Sequence, residues 1–301
     1  MKNKKVLIII IAAVAILAAA LTVILIKLSK KDSYRLLKVF EFEGDANVTR
    51  EKVGDIKPYT NMVLESGDKV ALETGKMTLQ ADSDKFIYLE EGTELILKAS
   101  GSSKNSRTTI EVTKGAITND IRNKLTDESN YEVNTPNSTM SVRGTMFRVA
   151  VYEIDGVKYT KVSVFEGGVA SYLIYKDGTR SDEEVMIEKG KEVIIYEDDS
   201  TTDYLYPPKD IDYSDLPDDV LELLEKALEE GKDLDITKEE LEKYLSRIVT
   251  VTFMYNGNVF GTQTIDKGGL ASEPTLVPDQ TGGWDWDFTK AVEEDTVIEW
   301  K

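Results

Sequence analysis

The chain has 301 residues, room for two folded units plus connectors, and contains neither cysteine nor histidine. That excludes disulfides, thiolate zinc sites, Ser-His-Asp triads and imidazole proton shuttles. A formal net charge of -18 repels the phosphates of nucleic acid, and among 55 acidic residues a carboxylate pair suited to acid-base chemistry arises easily by chance.

Val6 to Ile26 carries no charge, and Thr22 is its only polar side chain. At ~1.5 Å per residue it forms a helix about 31 Å long, enough to cross the hydrocarbon core of a bilayer. Lys2, Lys4, Lys5 and the small residues Ala18 to Ala20 also suit a cleaved signal peptide. Its apolar region is about 7 to 15 residues, however, and here the run continues through Leu21 to Ile26. Residues 6–27 therefore read as an uncleaved signal-anchor, after a cytoplasmic tail over 1–5 and before a juxtamembrane linker over 28–38. Lys27, Lys30, Lys31 and Arg35 balance the N-terminal lysines, so charge alone leaves the orientation open. The short tail, unable to hold a fold, favours the N-terminus inside and the bulk of the chain outside the cell.

From Val39 to about Tyr196 the chain reads as strands. Lys85–Leu89, Glu94–Lys98, Thr109–Thr113, Met146–Tyr152 and Glu192–Tyr196 alternate or run apolar and favour β-branched residues. Only Ile117 to Leu125 admits one or two helical turns. Glycines 67, 92, 115, 167 and 190 each follow an apolar residue by three positions (Leu64, Leu89, Val112, Val164, Ile187). Each also precedes one by two or three (Val70, Leu95, Ile117, Val169, Val193). The pattern predicts a positive φ at each glycine and inward flanking side chains. A spacing of roughly 23 to 25 residues, skipped once, suggests stacked hairpins in a sandwich or short solenoid. Glycine is common at any β turn, which leaves the repeat itself open.

Within this region stand Val133-Asn-Thr-Pro136, Ser141-Val-Arg-Gly-Thr-Met-Phe-Arg-Val149 and Val162-Ser-Val-Phe-Glu-Gly-Gly-Val169. Together they resemble the core of the FecR domain, "V-x-T-P" into "V-R-G-T-x-F-x-V", then "V-x-V-x-x-G-x-V". Thr135, Pro136, Val142, Arg143, Gly144, Thr145, Phe147 and Gly167 carry the motif. Upstream, Gly44, Val48 and Arg50, then Leu64 to Gly75, resemble the start of the family pattern more loosely. The resemblance implies an all-β domain over 39–200 in a non-catalytic, extracytoplasmic regulator. Such regulators sense an outer partner and signal across the membrane to a sigma factor. They carry a sigma-binding domain before the membrane span, where this sequence has Met1 to Lys5, so no direct sigma-factor contact is expected. The residues themselves suit a structural role: Gly144 in a bulge or turn, Thr145 bonding back to it, and Arg143 pairing with a carboxylate.

Residues 201–247 read as an acidic helical connector, opened by Tyr206-Pro-Pro-Lys209. Glu197 to Tyr244 holds 18 acidic residues against 5 lysines. Ser214 is the expected cap of a helix over Leu216 to Glu229, with Leu216, Val220, Leu223, Leu224 and Leu228 on one face. Gly231 stops it, and Thr237 with Glu240 forms a capping box for a helix over Lys238 to Arg247, with Leu241, Tyr244 and Leu245 inward. An EF-hand alignment places Glu229, Gly231, Asp233, Asp235, Thr237 and Glu240 at ligand positions. It puts Leu234 where glycine is required and no side chain at the third place, so a solvated acidic helix pair fits better. No metal or other cofactor is expected.

Residues 248–301 open on a strand and an Asn-Gly hairpin signal and end Trp286-Asp-Phe to Trp300. Val251, Phe253, Asn256, Gly257, Trp286, Phe288, Val292, Asp295, Thr296 and Trp300 resemble the Listeria-Bacteroides repeat. That resemblance implies a small ubiquitin-like β module of bacterial surface proteins. Trp286 and Trp300 read as core, because so small a module needs large aromatics to fill it. Trp284 stands between core and a carbohydrate-stacking surface, and is the candidate ligand surface.

The sequence thus describes a mainly β, single-pass protein of the cell membrane, bound to the bilayer through residues 6–27. It reads as a non-catalytic FecR-like sensor or scaffold, with an unknown protein or cell-envelope polymer as partner. The alternative is a surface adhesin or carbohydrate-binding protein.

Overall fold

The computed structural model describes residues 37–101, 105–123, 129–142, 144–245, 248–276, 278 and 281–301. The expected membrane segment over 6–27 lies outside them. Among the described residues no helix is long and apolar enough to cross a membrane. The chain divides into two compact units, the first ending at Asp210 and the second running from Ile211 to Lys301.

The first unit is built of β1 (Leu37–Arg50), β2 (Gly54–Ile56), β3 (Asp68–Ala81), β4 (Lys85–Leu89), β5 (Thr93–Ser100), β6 (Arg107–Ile121), β7 (Asn130–Thr135), β8 (Ser138–Val142), β9 (Met146–Ile154), β10 (Val157–Glu166), β11 (Gly168–Leu173), β12 (Val185–Glu188), β13 (Lys191–Glu197), β14 (Thr202–Tyr204) and β15 (Lys209–Asp210). Three long strands, β1, β3 and β6, change partners halfway along. The later half of β1 and the early halves of β3 and β6 join β2, β5, β7, β8, β11 and β12 in one layer. Their other halves join β4, β9, β10, β13, β14 and β15 in a second. β6 and β7 run parallel, and the other pairs of this unit are antiparallel. Inward residues of both layers, Val48, Leu97 and Ile110 with Leu79, Phe147 and Val162 among them, form one hydrophobic core.

Glycine makes the change of layer possible. Gly44 and Gly75 face each other across β1 and β3 with φ of 111° and 90°. A Cβ on Gly75 would lie 2.2 Å from the carbonyl oxygen of Glu43, and one on Gly44 2.0 Å from that of Thr74. The five spaced glycines, Gly67, Gly92, Gly115, Gly167 and Gly190, all take positive φ. Their ten apolar flanking residues all lie in the single core, as the spacing predicts. The helical turn admitted at Ile117 to Leu125 is corrected. Ile117 to Ile121 ends β6, paired with β4 on one side and β9 on the other, an environment that suits β-branched Ile117, Thr118 and Ile121.

The second unit holds α1 (Asp218–Glu229) and α2 (Lys238–Leu245), then β16 (Ile248–Tyr255), β17 (Asn258–Asp266) and β18 (Thr296–Glu299). Helix α1 starts two residues later than expected, and Ser214 does not cap it. Pro217 holds Leu216 in an extended conformation, so a short 3-10 turn over Tyr213–Asp215, capped by Asp212, ends before the helix begins. The buried face is Val220, Leu221, Leu224 and Ala227, while Leu223 and Leu228 are half-buried. At its end the N–H groups of Gly231 and Lys232 bond to the carbonyls of Leu228 and Ala227, with Gly231 at φ 86°.

The capping box opens α2 as expected: Glu240 N–H donates to the Thr237 hydroxyl at 3.2 Å, and Thr237 N–H to the Glu240 carboxylate at 3.0 Å. Thr237→Ala is expected to cost about 1 kcal/mol, read as a lower urea midpoint at unchanged slope. Backbone and hydroxyl bonds from Thr237 hold the Glu240 carboxyl below its ordinary value. That stabilisation is present above the unfolded value of 4.5 and lost as pH falls through the folded one. The acid limb of α2 helicity should therefore flatten in Thr237→Ala.

β16 pairs antiparallel with β17 through an Asn256-Gly257 turn at φ 49° and 75°, and parallel with β18. One face of this small sheet covers a core of Val249, Val251, Phe253, Ala271, Trp284, Val292 and Ile298.

Candidate functional site

The stretch from Val133 to Val169 threads both layers of the first unit. β7, β8 and β11 lie in one layer and β9 and β10 in the other. Thr135 ends β7, and Pro136 and Asn137 form the turn into β8. Proline presets its own φ there, which suits the first turn position. Asn137 is fully buried, and its side chain ties the layers together. The amide Nδ2 donates to the carbonyls of Lys158 in β10 at 3.3 Å and Ile195 in β13 at 3.5 Å. Its Oδ1 accepts from the Thr160 hydroxyl of β10 at 2.6 Å, and the Thr135 and Thr160 hydroxyls are 3.0 Å apart.

Three further bonds extend this seam. Ser138 in β8 lies 3.2 Å from Ser171 in β11, and the Tyr204 hydroxyl of β14 donates to Ser171 Oγ at 3.0 Å. Burial pushes the Tyr204 phenol up. Tyr131 in β7 donates to Asn119 in β6 at 2.8 Å. A buried hydrogen bond contributes only about 1 kcal/mol net, but leaving one partner alone costs about 1–3 kcal/mol. The seam therefore acts chiefly against misaligned layers.

Val142 and Phe147 are buried in the core, and Arg143 lies outside the described residues. Gly144 takes φ 72°. Thr145 is fully buried, and its hydroxyl donates to Gly168 O at 3.0 Å rather than back to its own turn. Gly167 closes on the same point, since a Cβ there would lie 2.7 Å from Gly144 O. Seven of the eight motif residues thus sit at turns or in the core. The eighth is Arg143.

The charged groups nearby are paired. Arg148 of β9 grips Glu90 with two bonds of 2.7 Å, and Glu192, 1% exposed, lies 3.0 Å from Lys161 and 3.5 Å from Lys209. Among the described residues no group of three or more acidic side chains is placed to hold a metal ion. Two residues of the EF-hand alignment serve elsewhere: Glu229 pairs with Lys238 at 2.9 Å, and Glu240 caps Thr237.

Trp284 is corrected from a candidate ligand surface to a core residue. It is 8% exposed, with ring centroids 4.9 Å from Phe253, 5.4 Å from Phe260 and 5.1 Å from Trp300. At that exposure the ring presents little surface to a sugar. The isolated Trp284–Trp300 bridge draws it under the sheet, a long-range pairing with no local sequence signal.

Asn137 and Thr160 are the residues that sequence reasoning missed. Thr160 shares the inward parity of Val162 and Val164, so a polar residue at an inward strand position was the available signal. Asn137 follows a Thr-Pro turn start and looks like an ordinary exposed turn residue. Arg148 and Glu90 are 58 residues apart, and no local pattern links them.

A family model described as FecR protein matches residues 66–170, roughly a third of the chain. A FecR domain is therefore present, running from the turn before β3 into β11. Gly44, Val48 and Arg50, which carry the looser upstream resemblance, lie outside the match. No curated protein matches the chain. Two crystal structures of a candidate anti-sigma factor from Parabacteroides distasonis, at 1.65 and 2.50 Å resolution, each superpose with a TM-score of 0.38. Their identities are 11% and 12%, covering 77% and 76% of this chain and 98% of theirs. A likeness at that TM-score carries no argument about function.

Proposed function

We propose that this protein is a membrane-anchored, extracytoplasmic sensor or scaffold of the FecR-like class. It binds an envelope or surface partner and takes part in signalling across the membrane, and it is not an enzyme. The observation that carries this reading is the FecR match over residues 66–170. The ion pairs beside the motif, Arg148 with Glu90 and Glu192 with Lys161, are compatible with a displayed, non-catalytic domain. The uncharged run from Val6 to Ile26 supplies the anchor, with the N-terminus inside. In the same reading the C-terminal strands form one Listeria-Bacteroides-like module, supported by Val251, Phe253 and Val292 in a single core with Trp286, Phe288 and Trp300 packed against it.

The chain has no cysteine, so a single introduced one reports topology cleanly. Glu183→Cys, in the exposed loop between β11 and β12, should react with a membrane-impermeant maleimide on intact cells. Labelling that appears only after lysis overturns the extracytoplasmic placement.

A further inference from the structure

The first unit carries an apolar rim at the end where β1 begins. The link from β2 to β3 runs back along the first residues of β1: Asn61 N–H donates to Val39 O at 2.7 Å, and Leu64 N–H to Leu37 O at 2.9 Å. Val63 is paired with Lys38 in an isolated bridge. Met62 and Leu64 belong to the core, so alternation turns Val63 outward, where a strand beside water ordinarily carries a polar residue. The turn after β1 returns to the same place. Val53 N–H bonds to Arg50 O at 3.0 Å, and Arg50 Nη2 donates to Val63 O at 3.2 Å. Val53, Tyr59 and Val63 are 67%, 62% and 59% exposed, three large apolar side chains close together in the sequence.

The place of this rim in the chain selects its occupant. Residues 28–36 alone lie between the expected membrane segment and Leu37, and they reach at most about 32 Å when fully extended. The rim is therefore held near the bilayer. β12, at the opposite edge of the layer that β2 begins, lies eight strand spacings of ~4.8 Å from β2. Residues 27–38 carry five basic side chains against one acidic, in a chain of net charge -18, which suits anionic head groups. Tyrosine, with an apolar ring and a polar tip, is favoured at the membrane–water boundary. Three side chains bind a lipid surface weakly on their own, but an anchor makes the contact intramolecular, at an effective concentration on the order of millimolar. We propose that Val53, Tyr59 and Val63 rest in the head-group region of the bilayer and hold the first unit with this end against the membrane. The proposal rests on the anchor of the reading above and adds the lipid surface as a second contact.

The test uses the full chain in vesicles of phosphatidylcholine and phosphatidylglycerol, with an environment-sensitive fluorophore on a single introduced cysteine. Brominated acyl chains quench only a fluorophore that reaches the head-group and acyl boundary, about 5–10 Å deep. Labels at Val53→Cys and Val63→Cys should lose about half their emission or more in brominated vesicles, and one at Glu183→Cys, before β12, less than about a tenth. Tyr59→Ser with Val63→Ser should remove most of the quenching at Val53→Cys. Equal quenching at all three labels, or none at the rim, would overturn the contact. So would quenching at Val53→Cys that the serine pair leaves unchanged. Rim labels shielded from iodide yet unquenched by bromine would mean that a protein partner or a second copy covers the rim, and would overturn it too. Flotation of the chain with the vesicles after a carbonate wash is read separately. A chain that does not float lacks the anchor, and the contact falls with it; a floating chain with unquenched rim labels loses the contact alone. If Val63→Cys does not fold, as judged by amide exchange in β3, the label at Val53, in an exposed turn, decides.

Discussion

Gly75→Ala is expected to lower the stability of the first unit by more than about 3 kcal/mol. Two costs combine at this position. A left-handed φ of 90° already costs a residue with a Cβ about 1–2 kcal/mol. The new Cβ would also lie 2.2 Å from the carbonyl oxygen of Glu43 and 2.8 Å from Gly44 Cα, both backbone atoms that no rotamer change can clear. Gly54→Ala separates the two costs, because its φ is 87° and nothing lies within 4 Å of its Cβ position. That variant should cost only about 1 kcal/mol. All three tryptophans lie in the second unit, so the first is best followed by amide exchange in β3. Equal protection in the two variants would mean that the Gly44–Gly75 approach does not hold the layers.

Trp284→Ala is expected to destabilise the second unit by about 3–5 kcal/mol. At about 0.05–0.15 kcal/mol per residue the unit has only roughly 5–13 kcal/mol in total. The loss follows from the ring's place among Phe253, Phe260 and Trp300, where alanine would leave a cavity in a small core. Fluorescence of Trp286 and Trp300 should show the unit melting more than about 12 °C lower. An unchanged melt with lost binding to immobilised glycans would return Trp284 to the surface and favour an adhesin.

The spaced glycines made much of the first unit legible. A glycine with apolar residues on either side is a local signal, and all five sit at positive φ with their neighbours in the core. The two caps of the helix pair were legible for the same reason, since Gly231 and the Thr237–Glu240 box act within a few residues. The start of α1 was not, because Pro217 outweighed the capping preference of Ser214. Ile117 to Ile121 was ambiguous because a short apolar run does not distinguish strand from helix until its neighbours on both sides are known. The seam was least visible. Asn137 meets Thr160 across 23 residues and Ile195 across 58, and only the folded layers bring them together.

The central claim is that the Thr-Pro turn and its surroundings join two layers rather than hold a ligand. A double-mutant cycle of Asn137→Ala and Thr160→Val tests it most directly, measured as urea unfolding of the first unit in the full chain. The two side chains should couple by about 1 kcal/mol or more, because each leaves the other's buried polar atom with fewer partners. A coupling within about 0.3 kcal/mol of zero would contradict the seam.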